Sequence, residues 1–279
     1  MRVIIAGAGG ALGADVARHV EAAGGVPIRT ARRAAAGNRP LDLGDEAAVR
    51  AAARGADGAV LCPILTVSAP AARWMAEEGV RRIVVFSSNN VAIDPEAAVY
   101  ERLRAAETRL SGLDADITIL RPTMIYGHAG DGNLSRLMRF AQRFSFLPCP
   151  GSGRALQQPV FIGDVARAAA EEVLRQGGGT YAVGGPDVIA NAELFAAVLR
   201  AAGKSPRAVA SVPLAPLRAA AHLAQRTSLP FPVTPAQLAR IECDKTAVGA
   251  APPGFAAHTG LEEGLARLAR SLAAPGGQG

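Results

Sequence analysis

The chain has 279 residues, of which 49% are hydrophobic, 19% charged and only 4% aromatic, with a formal net charge of +6. That length suits one large α/β domain, or a nucleotide-binding domain with a smaller lobe, and its core must be built from alanine, valine and leucine rather than from rings. The arginines stand singly or in pairs such as Arg32–Arg33 and Arg81–Arg82, without the long basic run or interleaved aromatics of a nucleic-acid binder. No apolar stretch reaches the roughly 18 residues of a membrane span. Cys62, Cys149 and Cys243 form neither a fully paired disulfide framework nor a CxxC metal pair, and His19, His222 and His258 lack metal-ligand spacing. Neither a metal, a nucleic acid nor a membrane is therefore expected as a partner. Because Asp15 and the glycines interrupt the first apolar stretch, it makes no signal-peptide core, and a cytoplasmic, reducing setting is expected.

In chain order, short apolar runs predict strands at Arg2–Ala6, Val26–Thr30, Gly58–Cys62, Ile83–Ser87 and Ile117–Arg121. Between them, apolar residues at three- and four-residue spacing predict helices near Ala11–Ala23, Asp45–Arg54, Ala69–Glu78 and Ala97–Ser111. This is the βαβ rhythm of a doubly wound parallel sheet, an α/β class of Rossmann type. Trp74 is expected in the core or an interface. After Tyr126 the rhythm loosens into a glycine-rich loop holding His128, an amphipathic helix at 134–144 and a Pro/Gly-rich connector at 147–159. A helix over Gly163–Arg175, a strand at 180–183, a helix over Asn191–Ala202 and a proline-punctuated segment from Ser205 to Pro235 follow. The last helix, Leu261–Leu272, runs into a terminus expected to fray. We expect residues 1–126 to form the nucleotide domain, with elements returning from 157–185. Residues 127–279 would then supply a small substrate-side lobe that does not fold alone.

Gly7, Gly10 and Gly13, with Gly9 extra, stand directly between the first strand and the first helix. In that context the first glycine allows the tight turn, the second lets backbone approach a pyrophosphate, and the third lets the helix lie close on the sheet. The N–H groups of the helix start, around Ala11 and Leu12, then face the phosphates. An NAD-binding version of this turn places an acid about 20 residues on, bonded to the ribose hydroxyls, yet no Asp or Glu occurs from Ala22 to Leu41. Arg32 and Arg33 stand there instead, and a guanidinium fork suits a 2′-phosphate. NADP(H) is accordingly preferred over NAD(H), the competing reading being two solvated loop arginines. Asp42 meets the adenine amino group or is a helix N-terminal carboxylate, and Leu43 is placed beside it.

The order of GAGGALG at 7–13, LDLGD at 41–45, RRIVVFSSNN at 81–90, YERLRAAE at 100–107, ITILRPTMIYG at 117–127, QQPVFIGDVARA at 157–168 and GGTYAVGGP at 178–186 resembles the extended and atypical short-chain dehydrogenase/reductase superfamily. The resemblance is strongest to the branch of NmrA-like and complex I accessory-subunit-like proteins. It implies an NAD(P)-binding Rossmann domain whose cleft lies at the carboxyl edge of the sheet. Active members use a Ser or Thr, a Tyr, and a Lys four residues after the Tyr; Ser88 and Tyr100 match, and Arg104 stands at the lysine position. A tyrosine hydroxyl can protonate a carbonyl oxygen as hydride moves, but an isolated phenol titrates near about 10, so base work needs a neighbouring cation. Arg104, one helical turn from Tyr100, supplies the charge but cannot release a proton. In the alternative reading it is a helix cation paired with Glu101 or Glu107. The resemblance further assigns Cys62, Pro63 and Ile64, and then Pro122, Thr123 and Ile125, to the cofactor; Asn89, Asn90 and Tyr126 are candidate substrate contacts. Cys62 is read as a packing residue rather than a nucleophile, and His128 as a solvated loop residue.

Two functions compete. One is an NADP(H)-dependent oxidoreductase acting on a small carbonyl, enone or quinone, with a sugar-nucleotide epimerase or dehydratase as its variant. The other is a non-catalytic NADP(H)-binding sensor or assembly protein with a protein partner. A monomer or homodimer is expected in either case.

Overall fold

The computed structural model describes residues 1–33, 37–227 and 240–273. Its strands in chain order are β1 (Arg2–Ala6), β2 (Val26–Ala31), β3 (Arg39–Pro40), β4 (Gly58–Ile64), β5 (Arg82–Phe86), β6 (Asp116–Pro122), β7 (Ile125–Tyr126), β8 (Leu147–Pro150), β9 (Leu156–Gln157), β10 (Val160–Phe161), β11 (Gly179–Val183), β12 (Ile189–Ala190) and β13 (Val209–Val212). The helices are α1 (Ala11–Ala22), α2 (Glu46–Ala53), α3 (Leu65–Glu77), α4 (Asn90–Ile93), α5 (Glu101–Leu110), α6 (Leu134–Phe144), α7 (Ile162–Leu174), α8 (Asn191–Ala201), α9 (Leu214–Thr227) and α10 (Leu261–Ala273). Among the described residues no helix is long and apolar enough to cross a membrane.

The chain divides into two compact units. The first comprises Met1–Ile125, Val160–Gly185 and Ala247–Thr259; the second comprises Tyr126–Pro159, Pro186–Thr246 and Gly260–Gly279. In the first, seven parallel strands lie in the order β11-β6-β5-β4-β1-β2-β3. Successive side chains of a strand point to opposite faces, so Val3 and Ile5 pack under α1 and α7, whereas Ile4 and Ala6 pack under α2, α3 and α5. Burial on both faces explains why these strands read as continuous apolar runs. The alanines of α7, at 166, 168, 169 and 170, are buried and let that helix lie close against the sheet and α1. As expected, the sheet is doubly wound and parallel.

Several boundaries differ from the pattern in the sequence. Helix α3 starts at Leu65 and runs through Pro70, although a proline ordinarily marks a first turn. Fully buried Leu65 and Ser68 draw the preceding turn into the core, so the helix follows β4 directly. The stretch expected as one helix from Ala97 splits into a 3-10 turn, Ala98–Tyr100, and then α5.

The second unit packs α6 against α8 and α10 around Tyr126, Leu134, Met138 and Leu194. The connector at 147–159 is not featureless: it contains β8 and β9, and the proline-punctuated segment contains β13 and α9. Strands β8 and β13 pair in parallel, Val209 opposite Leu147. Pro148 and Pro150 occupy alternate positions of β8, on its open edge, where a missing N–H breaks no ladder bond. The expectations for residues 228–235 and for the terminal 274–279 fall outside the described residues.

Candidate dinucleotide site

Strand β1 ends at Ala6, and Gly7 turns the chain with φ +81. Two hydrogen bonds close the turn, from Ala8 N–H to the Thr30 carbonyl at 2.9 Å and from Gly10 N–H to the Gly7 carbonyl at 3.0 Å. Gly10 then caps α1 without any side-chain hydrogen bond, and no acid occupies the first turn. The helix start therefore keeps backbone donors and its partial positive charge for an anion. A Cβ on Gly13 would stand 2.3 Å from the Gly7 carbonyl oxygen, whereas one on Gly10 meets only that oxygen, at 3.4 Å. Packing within the chain thus requires glycine at 13 and leaves Gly10 open on its outer side.

The strand order reverses between β1 and β4, the switch point where open α/β sheets bind ligands. Pro63 and Cys62 lie against the same turn, 3.3 and 3.4 Å from the place of a Cβ on Gly7. This narrow wall, the uncapped helix and the absence of acid fit a dinucleotide pyrophosphate. The Cys62 thiol is pushed up to about 12 by burial and stays protonated, in keeping with packing. Ile64 is exposed beyond it.

Arg32 and Arg33 follow β2 and are both exposed. Asn38, which the sequence reading passed over, comes within 3.8 Å of where a Cβ on Gly9 would be, and Ala31 within 3.5 Å. A single asparagine before a two-residue strand carries no pattern to find it by. The Asp42 carboxylate accepts the Gly44 N–H at 2.9 Å, while Asp45 is the residue that caps α2, accepting from Ala48. The helix-cap alternative for Asp42 is thereby assigned to Asp45. Leu43 is buried, and its side chain belongs to the core.

Ser88 follows β5, its Oγ accepting the Asn90 N–H at 3.3 Å. Tyr100 ends the 3-10 turn, half-buried against the core. Arg104 donates to the Ala97 carbonyl at 3.1 Å, spanning the turn that presents Tyr100. Glu107, the alternative partner for Arg104, is held instead by Arg121 through Nε at 3.0 Å and a second guanidinium bond. Arg121 lies one residue before Pro122, which is buried, and the Thr123 N–H donates to the Val183 carbonyl at 3.0 Å. Ile125 packs into the core.

Two of the candidate substrate residues are corrected by burial. Asn89 is 1% exposed, and its carboxamide oxygen accepts the Val248 N–H at 2.9 Å, so it ties down the returning segment rather than facing a ligand. Tyr126 is fully buried in the second unit, where a Cβ on Gly264 would stand 2.1 Å from its hydroxyl. Asn90, half-buried at the start of α4, keeps an accessible position. His128 Nδ1 accepts the Gly130 N–H at 3.1 Å and belongs to its loop. Trp74 is half-buried against the core. No cluster of potential metal ligands occurs among the described residues.

The doubly wound parallel sheet and the glycine turn at its switch point define a Rossmann-type α/β fold. No protein-family model matches the chain. Over 168 residues it is 29% identical to NADH dehydrogenase (ubiquinone) 1 alpha subcomplex subunit 9, mitochondrial, of Arabidopsis thaliana. That match covers 59% of this chain and 42% of the relative, so the chain spans less than half of the relative's length. Its fold is similar to UDP-glucose 4-epimerase of Thermus thermophilus in complex with NAD, with TM-score 0.68 at 18% identity, covering 98% of this chain and 99% of that one. It is also similar to ADP-L-glycero-D-manno-heptose-6-epimerase of Helicobacter pylori, with TM-score 0.71 at 14% identity and coverage of 98% and 96%. For the dTDP-glucose 4,6-dehydratase of Bacillus anthracis in complex with NAD the values are 0.70, 12%, 98% and 96%. At these identities the likeness is one of fold.

Proposed function

We propose that the chain binds NADP(H) and is an oxidoreductase acting on a small carbonyl, enone or quinone. The observation that carries this reading is the uncapped glycine turn at the switch point, beyond which β2 runs out to exposed Arg32 and Arg33. When bound, the dinucleotide supplies or accepts hydride. The backbone donors at the start of α1 would hold the pyrophosphate, and the two guanidinium forks would hold a 2′-phosphate that an acid would repel. Tyr100 would give its hydroxyl proton to the oxygen of a carbonyl substrate, the bound dinucleotide supplying the hydride and solvent water returning the proton to the phenolate. Ser88 donates a hydrogen bond to the same oxygen. Arg104, tethered to Ala97, keeps a positive charge near the phenol but relays no proton.

A second reading is favoured by that same tether and by the curated relative's name: an NADP(H)-holding sensor or assembly protein in which Tyr100 does no chemistry. The epimerases and dehydratases among the fold relatives support a sugar-nucleotide substrate as a variant of the first. Loss of NADPH absorbance against quinones, enones, aldehydes and ketones, with wild type and Tyr100→Phe compared, tests the proposal. Turnover that collapses in the variant supports the oxidoreductase. No turnover across the panel despite tight NADPH binding overturns it in favour of the sensor.

A further inference from the structure

The formal charge of the chain is unevenly shared. In the first unit lysines and arginines equal aspartates and glutamates in number, so the whole +6 belongs to the second. Within that unit no acid occurs between Asp131 and Pro159, nor between Glu193 and Glu242. These two acid-free stretches meet, because β8 and β13 pair in parallel with Leu147 opposite Val209. The pairing brings exposed Arg207 to the same end of the strands as Phe146.

That end is apolar as well as cationic. Phe144 is 48% exposed and Phe146 43%, and both rings contact Phe140, with centroids at 4.6 and 5.6 Å. Ser145 between them has φ 57, the one non-glycine residue with positive φ among those described. This conformation costs a non-glycine residue free energy, and it folds Phe146 back beside Phe144 instead of letting the chain run on. Arg136, Arg139 and Arg143 are exposed at spacings that place them on one side of α6, and the Arg143 guanidinium lies 5.3 Å from the Phe144 ring centre. The inward side of α6, with Leu134, Met138 and Ala141, is already buried, so the exposed rings are not spare core.

We propose that this end of the second unit is a docking surface for an anionic lipid bilayer, with Phe144 and Phe146 entering the interfacial layer and Arg136, Arg139, Arg143 and Arg207 facing the lipid headgroups. Paired rings at a tip flanked by exposed cations match a bilayer surface, where apolar insertion and headgroup attraction act together. A nucleic-acid groove would ask for cations along a track rather than around two rings. The expectation of no membrane partner rested on the absence of an apolar stretch of spanning length, which bears on crossing a bilayer and not on contact with its surface.

Sedimentation of the full chain with vesicles of phosphatidylcholine alone, and of phosphatidylcholine with phosphatidylserine, tests this. Wild type is expected to sediment with the anionic vesicles and not the neutral ones, less so as salt rises. Phe144→Ser with Phe146→Ser should weaken binding by about tenfold, and Arg136→Gln and Arg143→Gln by about fivefold each with a flatter salt dependence. NADPH affinity and circular dichroism unchanged in these variants keep the comparison about the surface. Equal sedimentation of wild type and the double phenylalanine variant overturns the proposal. So does a wild-type dimer in light scattering that the double variant abolishes while vesicle binding is absent, which would make the face an interface between copies.

Discussion

Gly13 lies with its Cα against the carbonyl of Gly7, so close that a Cβ would stand 2.3 Å from that oxygen. The two glycines weld the start of α1 to the end of β1. Gly13→Ala must push strand and helix apart, and we expect it to cost about 1–3 kcal/mol of stability, read from a chemical denaturation midpoint. Gly10→Val offers the contrast, because Gly10 has ordinary extended backbone and meets nothing closer than 3.4 Å. It should leave stability nearly unchanged yet weaken NADPH binding about a hundredfold, or about 2.8 kcal/mol, in titration calorimetry. Equal loss of stability in both variants would refute the assignment of Gly10 to the pyrophosphate.

Arg32→Ala with Arg33→Ala should lower affinity for NADPH by about tenfold, about 1.4 kcal/mol, while NADH affinity changes little. The physical reason is that only the 2′-phosphate gains from the guanidinium forks. Parallel titration of both cofactors decides it, and an unchanged ratio would return both arginines to the solvated loop.

Tyr100→Phe removes one oxygen and keeps the packing of the ring against the core. On the oxidoreductase reading, turnover drops by about 10²–10⁴ with NADPH affinity intact. On the sensor reading no measurable property changes. Arg104→Met is a companion variant: it cuts the bond to the Ala97 carbonyl, so the turn carrying Tyr100 should exchange its amide hydrogens faster.

Asp164, on α7, is buried. Burial alone would raise its pKa, but the N–H groups of His258 and Thr259, the Thr259 hydroxyl and Arg167 outweigh it and hold the carboxyl below its ordinary value of 3.8. A carboxylate with a lowered folded-state pKa stabilises the fold above its unfolded value, and that contribution is lost as pH falls through the folded value. Asp164→Asn should therefore cost about 1–3 kcal/mol near neutrality, with the gap to wild type closing only as pH falls below 3.8. Urea unfolding across the acid range measures this, and a gap independent of pH would contradict it.

Cys62 and Cys243 should part company in alkylation. Burial holds the Cys62 thiol up at about 12, whereas Cys243 is exposed. Iodoacetamide at neutral pH is expected to label Cys243 within minutes and to leave Cys62 unmodified in the folded chain, as read by peptide mass spectrometry. Rapid labelling of Cys62 would reopen its reading as a nucleophile.

By itself the sequence determined the sheet, the order of its elements and the glycine turn, because each rests on local information. Apolar runs mark strands buried on both faces, three- and four-residue spacing marks helices, and Gly7, Gly10 and Gly13 stand within two turns of each other. The tertiary structure alone decided who partners whom. Asn89 follows Ser88 and reads as a site residue, yet its carboxamide holds Val248. Tyr126 ends a motif that points to substrate, yet Gly264 makes room to bury it. Glu107 was a local partner for Arg104 until β6 brought Arg121 to it, and Arg207, far along the chain, came to the Phe146 end of β8 only when β13 paired with it. A polar side chain carries no mark of its partner, since the energy of a hydrogen bond or ion pair depends on burial and distance that residues far along the chain supply.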